Sequence, residues 1–438
     1  MMSRGTTASP PATLHLVQCL IDWGMFERAR DLLNCYLDCY VKEDGTFDYY
    51  GPALAEYGQM LSLTAHFASV TGDERWWQSQ EPVLRPIWRR LIDLRHQALA
   101  DEQAPAGTWG LVPGLPEADY HTDQAQWHEC YFSGNAWAVR GLVDVARLLF
   151  TYHQQAECAE VFDAARAWRK DLEQAVRQAR VPTERGVFVA PGPTQRRPFQ
   201  HMTESRHASY VNYRYWAEMI SAGVLEREIM DEVLQYRRSH GGELLGMTRF
   251  EDRLDDWPVL HYARALLELG EVDRYLLLLY AHLAHHQALG WLTAYEQVSI
   301  LPEESGLRRQ IAGQVTPSQV TVPQMLRWAL AYELREEPVL LVAPGVAWHW
   351  IADKRILAAN LPTTWGTLSY FARPSRDGVH MGINLADTTG VTMRIRIPAP
   401  RGAQLGAVVV NGRRRKRFDA QRRLIDVFSE TGEIELQA

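Results

Sequence analysis

The sequence predicts a mainly helical fold, a ring of α-helical hairpins followed by a small antiparallel β-sandwich. Two observations lead to this prediction. Apolar residues recur with helical spacing up to about Glu337, whereas from about Val339 they follow the alternation of short strands. Within the helical region, short connections alternate with long ones. This alternation is typical of paired helices whose long loops gather at one end of the fold.

Eleven helices are predicted before Glu337. Short turns such as Thr71-Gly72-Asp73 and Leu269-Gly270-Glu271 join them in pairs. The predicted spans are residues 13–23, 25–41, 53–71, 74–98, 133–152, 157–178, 206–220, 223–238, 256–268, 270–286 and 318–335. A twelfth helix lies in the stretch 296–312 or is absent. A helical-repeat solenoid is the structural alternative, but no fixed repeat length recurs.

The C-terminal region has the pattern of a β-sandwich. Its segments are rich in β-branched residues and are separated by Gly, Pro or Asp turns. The predicted strands lie within residues 338–344, 366–374, 378–386, 390–400, 406–412 and 432–438. We therefore predict a helical domain at residues 1–337 and a β-sandwich domain at residues 338–438.

Composition and charge argue against several classes of protein. With 46% hydrophobic residues, 23% charged residues and a formal net charge of −7, the chain is typical of a globular protein and unlike a nucleic-acid binder. The basic run 413–417 follows Asn411-Gly412, which indicates an exposed hairpin turn. No apolar run is long enough to span a membrane, and the first residues do not have the pattern of a signal peptide. Together with five cysteines and no CxxC pair, this favours a cytoplasmic protein.

Three segments together carry a resemblance to a known family. They are the sequence ASVTGD at residues 68–73, the sequence LTAYEQ at residues 292–297, and the passage from LLVAP at residues 340–344 into the β region. The chain resembles the six-hairpin glycosidase superfamily, and within it the α-L-rhamnosidase-like branch. The resemblance implies an (α/α)6 barrel with a β domain, and hydrolysis of a glycosidic bond in an oligo- or polysaccharide. It also implies that Glu296 is the general base, because LTAYEQ stands where that branch has a Thr-Thr-aromatic-Glu segment.

The general acid has to be sought elsewhere, since the sequence lacks the acidic Arg-Glu segment with a following Gly-Asp that this branch uses. Glycoside hydrolysis needs one carboxylic acid and one carboxylate. Glu117 and Asp119 stand among aromatic residues in the long loop 99–132, where partial desolvation would raise a carboxyl pKa toward neutrality. We predict one of them as the acid; the alternative is a polar surface loop with turn-forming acids. The resemblance implies an inverting reaction.

Other residues near the long loops are predicted to contact the carbohydrate. Tryptophan side chains are suited to stacking on sugar rings, and Trp109, Trp127 and Trp291 are the candidates for this role. The full set of predicted substrate-binding residues is Glu56, Trp109, His121, Trp127, Glu129, Arg206, His207, Asp256, Trp257, Trp291 and Tyr295.

Structural alternatives exist for some acidic and histidine residues. Glu56 suits the first turn of helix 53–71, where the helix dipole favours an acid, and Asp255 suits the N-cap of helix 256–268. His282 and His286 have the i, i+4 spacing of zinc-binding helices, but the HExxH pattern is missing. We predict neither a metal site nor a cofactor.

Two other functions remain open. A polysaccharide lyase acting on uronic acid chains needs a base such as Tyr or His and an Arg or Asn that neutralises the uronate. Such a set is offered by Glu204-Ser205-Arg206-His207 with Tyr210, Asn212, Tyr213 and Arg214. Because the segment that supplies the general acid in this branch is missing, the chain is alternatively a carbohydrate-binding protein without catalytic activity.

Overall fold

The computed structural model describes residues 9–48, 54–115, 127–288, 290–291, 293–303, 308–376, 378–428 and 434–437. These residues form a helical part followed by a β part, as predicted. The helices are Pro10–Asp22 (α1), Phe26–Tyr40 (α2), Leu54–Thr71 (α3), Glu74–Ala100 (α4), Phe132–Thr151 (α5), Gln155–Gln178 (α6), Arg206–Tyr210 (α7), Trp216–Ser221 (α8), Arg227–Ser239 (α9), Val259–Leu269 (α10), Val272–His285 (α11), Thr316–Leu330 (α12) and Trp348–Ile351 (α13). A π-helical turn, Val211–Tyr215, joins α7 to α8.

The helical part is built from pairs in which the first helix is the more deeply buried. Helices α3 and α5 are buried over most of their surface, whereas α2 and α6 each bury only one face. The first helices contact one another in the order α1, α3, α5, α8, α10 and α12, and α12 contacts α1. These contacts therefore close a cycle, with the second helices outside it.

Helices α3 and α5 approach each other at glycines. A Cβ atom added at Gly141 would lie 2.6 Å from the carbonyl oxygen of Gly58, and one added at Gly58 would lie 2.7 Å from the backbone nitrogen of Ala138. Real Cβ atoms do not come so close to backbone atoms. The absence of a side chain at both positions therefore allows the two backbones to touch.

The β part contains two sheets. Their strands are Ala331–Glu333 (β8), Val339–Val342 (β9), Ile356–Thr363 (β10), Gly366–Ser375 (β11), Gly378–Leu385 (β12), Thr392–Arg396 (β13), Val408–Val410 (β14), Arg413–Arg415 (β15), Leu424–Phe428 (β16) and Ile434–Gln437 (β17). One sheet has the order β10-β11-β12-β17-β14-β15 and the other β16-β13-β9-β8. Residues of both sheets share one hydrophobic cluster. The pairing is antiparallel except between β9 and β13, which are parallel.

One local prediction is wrong, and one of two open alternatives is excluded for the described residues. The helix predicted to end at residue 335 ends at Leu330, because Ala331–Glu333 pairs with Val339–Val342 as a strand. The stretch 296–312 contains no hidden helix among its described residues; it contributes two strands to a sheet in the loops.

The long loops carry strands of their own. Arg180–Thr183 (β1) and Gly186–Val189 (β2) form a hairpin. A second sheet, which we call the loop sheet, combines Glu243–Leu244 (β3), Met247–Phe250 (β4), Arg253–Asp255 (β5), Gln297–Pro302 (β6) and Arg308–Gln310 (β7) in that order. The loop sheet therefore joins the connection before α10 to the connection before α12, although sequence analysis treated both as loops.

All five cysteines are free thiols. Within the described part of the chain, none of the helices has both the length and the apolar character needed to cross a membrane.

Candidate functional site

The long loops precede the buried helices, so they gather where those helices begin. We call this the loop end of the helical part. Glu56 lies in the first turn of α3, Arg206 begins α7, and Asp256 comes shortly before α10. Glu296 lies in the connection before α12, immediately before strand β6. The loop end therefore collects predicted site residues from several connections.

The loop sheet brings Asp256 and Glu296 together. Strand β5 pairs antiparallel with β6, and Asp255 stands opposite Gln297. The Gln297 side-chain amide donates a hydrogen bond to Asp255 Oδ2 (2.6 Å), and the Asp256 backbone N–H donates to the Glu296 carbonyl oxygen (3.0 Å). Residues forty positions apart in sequence thus form one acidic cluster made of Asp255, Asp256 and Glu296.

The two aspartates of this cluster are fully buried, and burial raises the pKa of both. For Asp255, the negative charges of Glu296 and Asp256 raise the pKa further. For Asp256, burial raises the pKa to about 7, although His286 and a hydrogen bond from Ser318 partly oppose this shift. The environment therefore favours the protonated form of both aspartates, which is a common property of functional sites.

Side chains from two helices contact the Asp256 carboxyl group. Ser318 Oγ donates to Asp256 Oδ1 (2.7 Å), and His282 Nε2 lies 2.9 Å from Asp256 Oδ2. Burial lowers the pKa of His282 to about 3, so this imidazole is neutral. Both carboxyl oxygens of Asp256 therefore already have a protein partner. The predicted contact of Asp256 with substrate remains a prediction.

Asp255 does not cap a helix. Helix α10 begins at Val259, after Pro258, and no side chain caps it. Asp255 lies in strand β5 and accepts a hydrogen bond from the Trp257 backbone N–H (2.9 Å). The capping interpretation is therefore wrong, because the loop sheet takes up the residues that were predicted to start the helix.

A buried ion cluster lies beside this acidic group. Arg214 Nε is 2.8 Å from Glu218 Oε1, and Arg214 Nη2 is 3.3 Å from Glu56 Oε1. All three side chains are buried. The guanidinium lies 5.7 Å from the ring centroid of Trp257, which follows Asp256 in the chain. Glu56 is thus bound in an ion pair and does not simply complement a helix dipole.

Arg214 lies in the π-helical turn, a type of local structure found frequently at functional sites. Sequence analysis assigned Arg214 only to the lyase alternative. Its partnership with Glu56 depends on two helices far apart in sequence, which periodicity does not reveal.

Two neutral histidines accompany the ion cluster. Burial, then the charges of Arg264 and Arg214, lowers the pKa of His15 to about 3; burial also lowers the pKa of His261 strongly. The His15 ring lies 6.2 Å from the ring of Trp257. Sequence analysis missed both histidines, since each lies on a helix among apolar residues.

A second group of predicted residues surrounds the start of α7. The Trp127 ring lies 6.4 Å from that of His207 and 6.3 Å from that of Tyr210. The Arg206 guanidinium lies 5.6 Å from the Tyr210 ring centroid. Burial lowers the pKa of His207, while Glu129 partly opposes this effect. Glu129 also accepts a hydrogen bond from Thr194 Oγ1 (2.8 Å). This aromatic group provides a surface of the kind on which sugar rings stack.

Other predicted residues are not joined to these clusters. The side chains of Trp109 and Trp291 are 60% and 75% exposed. Tyr295 is held through its backbone, since His286 Nδ1–H donates to its carbonyl oxygen (2.8 Å). Glu117, Asp119 and His121 lie outside the described residues.

The opposite end of the helical part contains a cavity of about 390 Å³. Several acidic residues line it, and the most buried of them, Asp22, accepts hydrogen bonds from Gln324 (2.6 Å) and Trp328 (3.0 Å). His66 lies 3.1 Å from the same carboxylate. The acidic cluster, in which the pKa values of Asp255 and Asp256 are raised, and the aromatic group lie at the loop end, where we therefore place the candidate site. No group of three or more possible metal ligands occurs within the described ranges.

Known structures share this fold. The α-L-rhamnosidase from Dictyoglumus thermophilum is similar with a TM-score of 0.54 and 11% identity; the match covers 98% of this chain and 45% of that one. The Streptomyces avermitilis α-L-rhamnosidase complexed with L-rhamnose is similar with a TM-score of 0.56 and 11% identity, covering 98% of this chain and 38% of that one. The chain thus spans less than half the length of either relative. No protein-family model and no curated protein sequence matches it. The predicted resemblance is confirmed for the fold: the chain folds like the α-L-rhamnosidases of the six-hairpin glycosidase superfamily.

Proposed function

We propose that this chain is a glycoside hydrolase built as an (α/α)6 barrel with a β-sandwich domain. The observation that carries the proposal is the acidic cluster, in which half-buried Glu296 adjoins two buried carboxyls at the loop end. The closed cycle of helices and the likeness in fold to two α-L-rhamnosidases support it. The substrate class we propose is a rhamnoside or uronide within an oligo- or polysaccharide.

The proposed base is Glu296. Full burial penalises the charged form of Asp255, and the neighbouring charge of Glu296 adds to that penalty. When Asp255 and Glu296 together hold one proton, Asp255 is therefore the residue that carries it. Glu296, the more exposed of the two, is then the carboxylate that can receive a proton from an attacking water. Separate environments for neighbouring carboxyls are a recognised way to assign acid and base roles.

The proposed acid is Glu117 or Asp119. It protonates the leaving oxygen while Glu296 activates a water on the opposite face of the sugar. An inverting reaction of this kind needs roughly 6.5–9.5 Å between the two carboxyl groups, to leave room for the water. The proposed binding surface comprises Trp127, His207 and Arg206, with Trp257 nearer to the ion cluster.

The lyase alternative has less support. Asn212 and Arg214, two of the groups that could neutralise a uronate, already have other partners. Asn212 Nδ2 donates to the carbonyl oxygens of Gly242 (2.8 Å) and Arg249 (3.0 Å), and Arg214 is ion-paired with Glu56 and Glu218.

The test is the variant Glu296→Gln. A substrate panel of rhamnosides and uronides first identifies a glycoside that the wild-type protein cleaves. We expect kcat for this glycoside to fall about 10²–10⁴-fold in the variant, as is typical on loss of a general acid or base. The melting temperature should change little, since glutamine keeps the size of the side chain.

The matched control is Glu303→Gln, an exposed glutamate just beyond strand β6, which should keep wild-type turnover. Wild-type turnover by Glu296→Gln would overturn the proposed base. Ultraviolet absorbance from new double bonds would instead identify a lyase, and sugar binding without any product would identify a binding protein.

A further inference from the structure

A second pocket of about 390 Å³ lies between the helical part and the β part. One wall is the turn between α10 and α11, residues 269–272. The other wall comes from strands β13 and β16 and the residues just before β16. Arginines dominate its lining; they are Arg227, Arg274, Arg394, Arg396, Arg422 and Arg423.

Arg396 is the most buried of these arginines and forms no ion pair with a described carboxylate. Its side chain is 7% exposed, and Nη1 donates one hydrogen bond, to the carbonyl oxygen of Val346 (3.2 Å). Within the described parts of the chain, no carboxylate lies within ion-pair distance of it. Burial, followed by the charge of Arg423, lowers its pKa to about 10, while the charge of Asp273 partly opposes this shift, so the group is still cationic at neutral pH. A buried charge without an ion-pair partner is costly.

Arg423 lies beside Arg396 and is similarly unmatched. Its Nη1 donates to the carbonyl oxygen of Ala399 (3.0 Å), and its Nε is buried without a hydrogen-bond partner among the described residues. Its backbone is held in the left-handed region, at φ 59°. The two guanidiniums thus present unused N–H groups and two positive charges to one pocket.

The other charges around the pocket are largely paired. Arg394 forms two bonds with Asp426 (2.8 and 2.9 Å), and Arg274 lies 3.3 Å from Glu271. Glu268 accepts a hydrogen bond from Tyr332 Oη (2.8 Å). Asp273, on the rim, is exposed. Among the lining arginines that are not exposed, Arg396 and Arg423 are therefore the two without an ion pair to a described carboxylate, and the exposed Asp273 offsets their charge only in part.

We propose that this pocket binds a tetrahedral dianion, a phosphate or sulfate group, between Arg396 and Arg423. Planar guanidinium groups bind such oxyanions through paired, charge-assisted hydrogen bonds. Two guanidinium groups together balance the charge of about −2 on such a dianion. The pocket is an order of magnitude larger than the roughly 30 Å³ that one water occupies in the liquid. It therefore has room for the remainder of a small phosphorylated or sulfated molecule.

Titration calorimetry with inorganic phosphate and with sulfate tests this site in the full chain. Chloride keeps the ionic strength constant. We expect saturable binding of about one ion per chain, with at least a tenfold loss of affinity in Arg396→Met and in Arg423→Gln. A hexose phosphate that binds more tightly than phosphate would identify a phosphorylated ligand, and equal affinities would assign the site to the free ion.

The control is Arg413→Gln, an exposed arginine in β15 outside the pocket, which should bind phosphate like the wild type. Saturation separates specific binding from the general stabilising effect of phosphate and sulfate. If Arg396→Met does not fold, Arg423→Gln decides. Absence of saturable binding in the wild type, or wild-type affinity in a folded pocket variant, would overturn the proposal.

Discussion

The environment of Asp256 favours the protonated carboxyl group over the charged carboxylate. Its pKa, about 7 in the folded chain, lies well above the ordinary value of 3.8 because the group is fully buried. Below pH 4 the folded and unfolded chains both hold this proton. Between pH 4 and pH 7 the folded chain still holds it while the unfolded chain has released it. This carboxyl therefore favours folding less and less as the pH rises through that window.

The variant Asp256→Asn removes this titration. Its free energy of unfolding, relative to that of the wild type, should rise from pH 5 to pH 8 by roughly 3 kcal/mol, because about two pH units separate pH 5 from the pKa of about 7 and each contributes about 1.4 kcal/mol. Urea unfolding at several pH values measures the difference. The control is Asp252→Asn, at a position 87% exposed at the end of the same hairpin; it should change the free energy of unfolding little, as is typical of an exposed ion pair. A constant difference for Asp256→Asn would mean that this carboxyl is ionised at all these pH values.

Local sequence identified some site residues but not their partners. Glu296 was predicted from the resemblance carried by LTAYEQ, and Asp256 from its position beside Trp257 at the end of a long connection. Arg214, His15 and His261 were passed over or given another role, since their importance depends on contacts between different helices. Glu56 shows the same limit. Its position in a first turn was predictable, whereas its ion pair with Arg214 was not.

At the scale of elements, long periodic segments were predictable and short paired segments were not. The eleven predicted spans all correspond to helical segments, because many residues contribute to each pattern. The strands of the loop sheet are two to six residues long and are fixed by pairing across the chain. Residues 331–335 have good helix formers, yet pairing with β9 takes Ala331–Glu333 into a sheet.

The contact between α3 and α5 gives a prediction at this scale. Replacing glycine by alanine inside an exposed helix usually stabilises it by up to about 1 kcal/mol. At Gly58 the new methyl group would instead collide with the Trp137 carbonyl of the facing helix. We expect Gly58→Ala to lower the free energy of unfolding by about 1–3 kcal/mol, as overpacking does. Chemical denaturation measures the effect.

Gly406→Ala is the control for this substitution, because a Cβ atom there meets open space. Its stability should stay close to that of the wild type. Equal or greater stability of Gly58→Ala would show that the two helices can separate at no cost, and that their backbone contact is not required.

At the scale of the whole molecule, the helical and β parts share a strand. Val339 and Leu341 of β9 belong to the helical core, whereas Leu340 and Val342 belong to the core between the sheets. Alternate residues of a strand point to opposite faces, so one short strand is packed into both cores. The division at residues 337/338 remains a prediction from sequence. The shared strand indicates that the two parts do not unfold independently.

Calorimetric unfolding of two neighbouring variants tests this coupling. Leu340→Ala removes a side chain from the β core and Leu341→Ala removes one from the helical core. Each should cost roughly 2–5 kcal/mol, typical of a buried leucine truncated to alanine. If the cores unfold together, the wild type shows a single transition, and both variants move that same transition to lower temperature.

Leu357→Ala, at a position 60% exposed in β10, is the control and should hardly move the transition. Two separate transitions, each sensitive to only one of the leucines, would contradict the coupling. A single transition would mean that the anion pocket between the two parts and the candidate site at the loop end belong to one cooperative unit, because opening either part then opens both.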